Sequence, residues 1–199
     1  YVAYCALNLD NPDGTQLIAD FVANRPNHPK AAKAYYNLGV NAFDSKDWQT
    51  ANKYLKLANT TVLDDEERSE TNFKIAYSAF SLNNKKESIA YFDIAKQQNS
   101  PYYADANYYS GFLAYADENY DKVLVDLKRA EDSDKYKFRV PIMITSAYFK
   151  QKRFGEVLTY AGKFKDIATE SKRIDYLYQI YQLAAEAAYS QERYEEAIE

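Results

Sequence analysis

The stretch Ala34-Tyr-Tyr-Asn-Leu-Gly-Val-Asn-Ala-Phe-Asp-Ser-Lys-Asp-Trp-Gln-Thr-Ala51 returns in altered form as Ala106-Asn-Tyr-Tyr-Ser-Gly-Phe-Leu-Ala-Tyr-Ala-Asp-Glu-Asn-Tyr-Asp-Lys-Val123. Each copy has apolar residues at helical spacing around a glycine, then a short polar break, an aromatic residue and the start of a second helical pattern. Working outward from Gly39, equivalent small or short residues fall at Ala76, Gly111, Thr145 and Ala185, at intervals of 37, 35, 34 and 40 residues. A fixed period of this length is the signature of a stacked helical repeat.

Numbering each repeat so that Gly39 is position 8, the first repeat carries Tyr35, Leu38, Gly39 and Ala42 on its first helix, and Trp48, Ala51, Leu55 and Ala58 on its second. The third carries Asn107, Ser110, Gly111 and Ala114, then Tyr120, Val123, Leu127 and Ala130. These residues at positions 4, 7, 8, 11, 17, 20, 24 and 27 resemble the pattern of the tetratricopeptide repeat (TPR). The departures are Asn72 and Pro141 at position 4, Lys85 at position 17 and Val157 at position 20. The resemblance implies an all-α, right-handed superhelix of about five to six helix pairs. Its repeats would cover 32–60, 69–98, 104–132, 138–165 and a truncated 178–199, with a degenerate pair over 1–29 in which Tyr1–Asn8 and Thr15–Asn24 are the helices.

The spacing has a physical reason. Positions 4, 7, 8 and 11 share one helix face, as do 17, 20, 24 and 27. Small residues at 8 and 20 let the two helices approach, and one pair alone cannot bury its apolar face, so pairs must stack. The breaks at 44–47, 82–84, 117–119, 151–153 and 191–193 are short and polar. Longer connectors are expected at Thr60–Glu70 and Lys165–Arg173. The chain opens on Tyr1 and stops at Glu199 inside a helical pattern, which reads as a piece of a longer protein. An uncapped last helix would then offer a route to self-association.

Composition narrows the function classes. The 25 basic and 29 acidic residues give a net charge of −4 with both signs interspersed, which points away from nucleic acid as a partner. No apolar run reaches the ~18 residues of a membrane-crossing helix, so direct membrane insertion is not expected. One cysteine excludes an internal disulfide. Cys5 reads as a small buried hydrophobe, and His28, in Asn-His-Pro, as a solvated loop residue. Asp64-Asp-Glu-Glu67 has no glycine and no alternating calcium ligands, and reads instead as an N-cap with an acidic first turn. No phosphate loop, nucleophile elbow or zinc motif occurs. The expectation is a non-enzyme without cofactor or metal.

Aromatic residues are the anomaly, with 21 Tyr, 10 Phe and one Trp. Position 12 is aromatic in every repeat: Phe43, Phe80, Tyr115, Phe149 and Tyr189. Tyr36, Phe73 and Tyr108 hold position 5, and Tyr77 and Phe112 hold position 9. In TPR stacks these positions of the first helix face the concave side, so the resemblance implies a partner-binding groove of these ten rings, centred on the stretch from Tyr77 to Phe112. The same rings could instead serve packing between neighbouring first helices. A TPR subclass grips chaperone tails with a basic and Asn clamp. Lys33, Asn37 and Lys74 do not reproduce its order, and Tyr36 stands where a Lys is needed. The expected partner is a protein or peptide segment. Two further readings are a subunit of a bacterial envelope assembly and a glycan-binding accessory protein. The Asn-x-Pro lead-in at 27–29 and the run 100–111 resemble envelope TPR proteins, which points to the periplasm or outer membrane.

Overall fold

The computed structural model describes residues 13–58, 60–96, 100–164, 175–194 and residue 197. Ten α-helices and one 3-10 turn account for the regular structure, and no strand occurs among the described residues. The helices are α1 (Gly14–Asn24), α2 (Ala31–Asp44), α3 (Trp48–Leu57), α4 (Asp65–Ser81), α5 (Lys85–Ala95), α6 (Tyr103–Ala116), α7 (Tyr120–Ala130), α8 (Val140–Lys150), α9 (Phe154–Gly162) and α10 (Asp175–Ser190). The chain divides into two compact units, one ending at Ala106 and the other beginning at Asn107. Cys5, the expected helix Tyr1–Asn8 and the connector Lys165–Arg173 lie outside the described residues.

In the first unit α1 packs on α2, α2 on α3 and α4, α3 on α4, and α4 on α5. Ile18, Val22, Ala31, Ala34 and Leu38 form one apolar cluster, and Ala42, Ala51, Leu55 and Ile75 another. In the second unit α8 packs on α7, α9 and α10, around Val123, Leu127, Val140, Ile144, Val157, Leu177 and Ile180. Each of these side chains has nearly all its surface removed from water, which supplies the main driving force for holding such pairs together.

The closest approach within a pair falls at the two repeat glycines. A Cβ placed on Gly39 would stand 2.5 Å from Cγ of Leu55 and 3.0 Å from its backbone nitrogen. One placed on Gly111 would stand 2.6 Å from Cδ2 of Leu127. The leucine at position 24 therefore lies on the bare backbone of position 8. Where position 24 is Phe92 or Ala161, position 8 is Ala76 or Thr145, and all four side chains are buried.

The turns between paired helices share one backbone design. Lys46, Asn83, Glu118, Lys152 and Glu192 all sit at position 15, with φ between 57° and 61°. In each, the position-15 N–H donates to the carbonyl of position 12, and the position-16 N–H donates to that of position 11. The first repeat shows this as Lys46 to Phe43 at 2.9 Å and Asp47 to Ala42 at 2.9 Å. The last shows it as Glu192 to Tyr189 at 3.0 Å and Arg193 to Ala188 at 3.0 Å. This is a Schellman motif, which satisfies carbonyls that the helix end would otherwise leave unpaired. Position 16 then caps the next helix: the side chains of Asp47, Asn84 and Asn119 accept the N–H groups of Thr50, Glu87 and Lys122. One residue thus ends one helix and begins the next.

One boundary departs from expectation. The connector Thr60–Glu70 is shorter than its span in the sequence pattern, because α4 already starts at Asp65. Asp64 accepts from the Glu67 N–H at 2.8 Å and the Glu67 side chain accepts from the Asp64 N–H, a capping box that nucleates the helix within the acidic run. Three acidic side chains in the first turn also suit the positive end of the helix dipole.

Gly39→Leu and Gly111→Leu should each lower stability by at least the ~1–3 kcal/mol typical of overpacking, with the alanine variants intermediate. Thermal melts followed by helical dichroism read this; an unchanged midpoint for both leucine variants would contradict the close contact. Replacing a left-handed residue by glycine should act in the opposite direction. Glu118→Gly should gain about 0.5–1 kcal/mol in urea unfolding, and Glu118→Val should lose a similar amount.

Candidate functional site

In the first unit the expected rings converge around Tyr77. Its ring lies 5.6 Å from Phe43, 5.5 Å from Trp48, 6.1 Å from Phe73 and 6.2 Å from Phe80, between centroids. Tyr77, Phe43, Phe80 and Tyr36 are half-buried. Phe73 is buried, stacked on Tyr102 at 5.0 Å and tilted against Phe92 at 5.9 Å.

Beside these rings lies a charged node the sequence pattern does not reveal. Glu70 accepts from the Tyr36 hydroxyl at 2.5 Å and from the Tyr102 hydroxyl at 3.0 Å, and pairs with Lys74 at 3.0 Å. Lys74 is 7% exposed, also reaches Asp44 at 3.1 Å, and holds its ammonium 4.8 Å from the centre of the Phe43 ring. Lys33 pairs with Glu67 and lies over the Tyr36 ring. The two lysines on this face are thus engaged by carboxylates of the same unit. Burial works to raise the Glu70 carboxyl, but the hydrogen bonds from Tyr36, Lys74 and Tyr102 and the Lys74 charge outweigh it and hold the carboxyl below its usual value. Burial, with the charge and hydrogen bonding of Glu70, pushes the Tyr36 and Tyr102 phenols well above theirs.

In the second unit Tyr108 is buried, its ring stacked on Tyr136 at 3.9 Å with 11° between planes. Phe112 is 42% exposed. Tyr115 is half-buried and its hydroxyl shares a 2.6 Å hydrogen bond with Ser146. Phe149 is half-buried and Tyr189 is 67% exposed.

Position 12 has a local partner that explains its aromatic character. Phe43 meets Trp48 at 5.2 Å, Tyr115 meets Tyr120 at 5.7 Å, Phe149 meets Phe154 at 5.5 Å and Tyr189 meets Tyr194 at 5.4 Å. Each is an inclined pair of rings across the interhelix turn, joining positions 12 and 17 of one repeat. The second repeat has Lys85 at position 17, and there Phe80 leans on Tyr77 instead.

The second unit also contains a cleft of about 570 Å³. Tyr108, Tyr109, Tyr136, Phe138, Ile142 and Tyr176 form its apolar wall, and Lys135, Arg139 and Gln179 its polar edge. Tyr136 and Phe138 belong to the connector between α7 and α8 and occupy none of the signature positions of the repeat. The run Lys135-Tyr-Lys-Phe-Arg139 was the available signal, two rings alternating with three cations.

The remaining candidates are structural. The His28 imidazole accepts the Lys30 N–H at 3.1 Å and lies edge-on to Phe21 at 5.3 Å. Among the described residues, no three of His, Cys, Asp and Glu come together as metal ligands, and no helix is long and apolar enough to cross a membrane.

Stability of the first unit should fall with acid through Glu70. Its folded value is depressed, so its contribution is fully present above the unfolded value near ~4.3 and is lost as pH falls through the lower folded value. Urea midpoints below about pH 4.5 should therefore drop more steeply for the native chain than for Glu70→Gln. Parallel curves would remove the node from the stability of this unit.

No protein-family model matches the chain, and no curated protein matches it in sequence. Solved structures do resemble it. A MamA crystal structure superposes with a TM-score of 0.59 at 18% identity, over 98% of both chains. MamA from Desulfovibrio magneticus RS-1, from residue 41 to the end, gives 0.58 at 17% identity over 84% of this chain and 89% of that one. A tetratricopeptide repeat protein from Parabacteroides merdae ATCC 43184 gives 0.61 at 15% identity over 98% of this chain and 73% of that one. At these identities the likeness is one of architecture, and it agrees with the repeat spacing: the chain has the fold of the tetratricopeptide-repeat proteins.

Proposed function

We propose that the chain is a non-catalytic interaction scaffold that takes a peptide or protein segment on the first-helix faces of its repeats. The observation that carries this reading is the double role of the position-12 rings. Each is held on one side by a partner ring or by its own turn, and four of the five are half-buried while Tyr189 is exposed. A ring already immobilised in the free protein loses little entropy on binding, which is what an aromatic anchor at an interface requires. The burial of Phe73 and Tyr108 assigns those two rings to packing, so the contact surface rests on the other eight. A glycan platform is less well supported, since sugar stacking needs open ring faces and many of the rings here turn theirs to one another.

Phe112 is the ring to test, because it is exposed. Tyr77 is a poorer probe for alanine, since it touches four other rings. Peptides selected from a displayed random library should bind the native chain, and Phe112→Ala should weaken those that engage the second unit by about 2 kcal/mol, with the dichroism spectrum unchanged. Failure of the library to yield any binding peptide would overturn the scaffold reading.

A further inference from the structure

We infer that the cleft of the second unit is a receptor for an acidic peptide segment in which an Asp or Glu side chain adjoins an apolar one. This rests on the scaffold reading above and names the chemistry that its second unit selects.

The cleft's volume of about 570 Å³ lies inside the ~300–1,000 Å³ range of ligand sites. Its floor is the stacked Tyr108–Tyr136 pair, with Phe138 tilted on Tyr176 at 5.0 Å, so the aromatic part of the lining is held by ring-to-ring contacts. Its edge is different. Lys135, Arg139 and Gln179 are exposed, and no carboxylate contributes to the lining. That reverses the balance of a chain whose acidic residues outnumber its basic ones, 29 to 25.

The neighbouring cations are differently placed. Lys137 is paired with Asp134 at 2.8 Å, and Lys135 reaches across the Tyr136 ring at 5.3 Å. Arg139 has no carboxylate partner among the described residues. A guanidinium at the edge of an aromatic cleft is suited to a two-pronged hydrogen bond with a carboxylate, made while an adjacent apolar side chain enters the floor. The Gln179 amide adds a donor from α10. A charged sugar would satisfy Arg139 but not the floor, because the Tyr108 and Tyr136 faces are closed against each other and both rings are buried.

The test uses the 199-residue chain. A displayed random peptide library is panned, and labelled peptides from it are titrated by fluorescence anisotropy. The expected peptides place Asp or Glu beside Leu, Ile or Phe. Amide replacement of the acid should weaken binding about tenfold, and added salt should weaken it further. Lys135→Glu with Arg139→Glu should cause a similar loss while admitting the matching peptide that carries Lys in place of the acid. Both side chains are exposed, so dichroism should be unchanged. Ile142→Trp, which fills the floor, should abolish binding of either peptide. Neutral consensus peptides, or acidic ones indifferent to the charge swap and to Ile142→Trp, would overturn this inference and leave the scaffold reading standing. A library that yields nothing, or a uronate oligosaccharide that binds where peptides do not, would overturn both.

Discussion

The fold depends on how closely two helices of a pair can approach, and that distance is set where the side chain at position 24 meets the backbone at position 8. Leu55 over Gly39 and Leu127 over Gly111 leave no room for even one methyl group without displacement. Everything else in a pair follows from that contact. Small residues at position 20, such as Ala51 and Ser88, are fully buried where the second helix runs back antiparallel along the first, and the alanines at position 27 are buried as well. Where the second-helix residue changes shape, as at Phe92 and Ala161, its partner changes with it to Ala76 and Thr145. Ala161–Thr145 moves volume from position 24 to position 8, whereas Phe92–Ala76 is larger at both positions, so the pairs do not share one fixed volume.

A close contact needs a turn that returns the chain at the same angle each time. The position-15 residue in left-handed geometry and the doubly used position 16 provide it. The aromatic pair at positions 12 and 17 lies across the same turn in four repeats. The feature that makes the chain unusual in composition is therefore tied first to local architecture. The partly exposed rings, held from behind, are what makes a binding role physically reasonable. Stability and recognition draw on the same side chains, and substitutions there should be interpreted with both in view.

Much of this was legible in sequence because burial imposes its own spacing. Gly39, Ala76, Gly111, Thr145 and Ala185 mark the repeats by size alone, and Asp64–Glu67 announces its helix by capping chemistry. The left-handed turn was not legible. Lys, Asn, Glu, Lys and Glu occupy position 15, so the usual glycine signal is missing and only the backbone reveals the pattern. The proposed contact face is a separate matter. Position numbering located the rings, but it placed Phe73 and Tyr108 with the rest although both are buried. What covers them comes from outside the first helices: Tyr102, ahead of α6, stacks on Phe73, and Tyr136, in a connector, stacks on Tyr108. The Glu70 node was hidden for the same reason, since Tyr36 and Tyr102 reach it from 34 and 32 residues away.

The turn within each pair has a constant length, seven residues from position 8 to position 15 in all five repeats, while the repeat interval itself ranges from 34 to 40. Spare length therefore collects in the connectors between pairs. An insertion within 44–47 would separate two caps that share one residue and would carry the second helix out of register with the first. An insertion near the 3-10 turn Thr60–Val62 meets no such constraint. Each pair is thus a cassette closed by its own turn, and a segment grafted at 60–62 leaves the contacts inside the flanking pairs undisturbed.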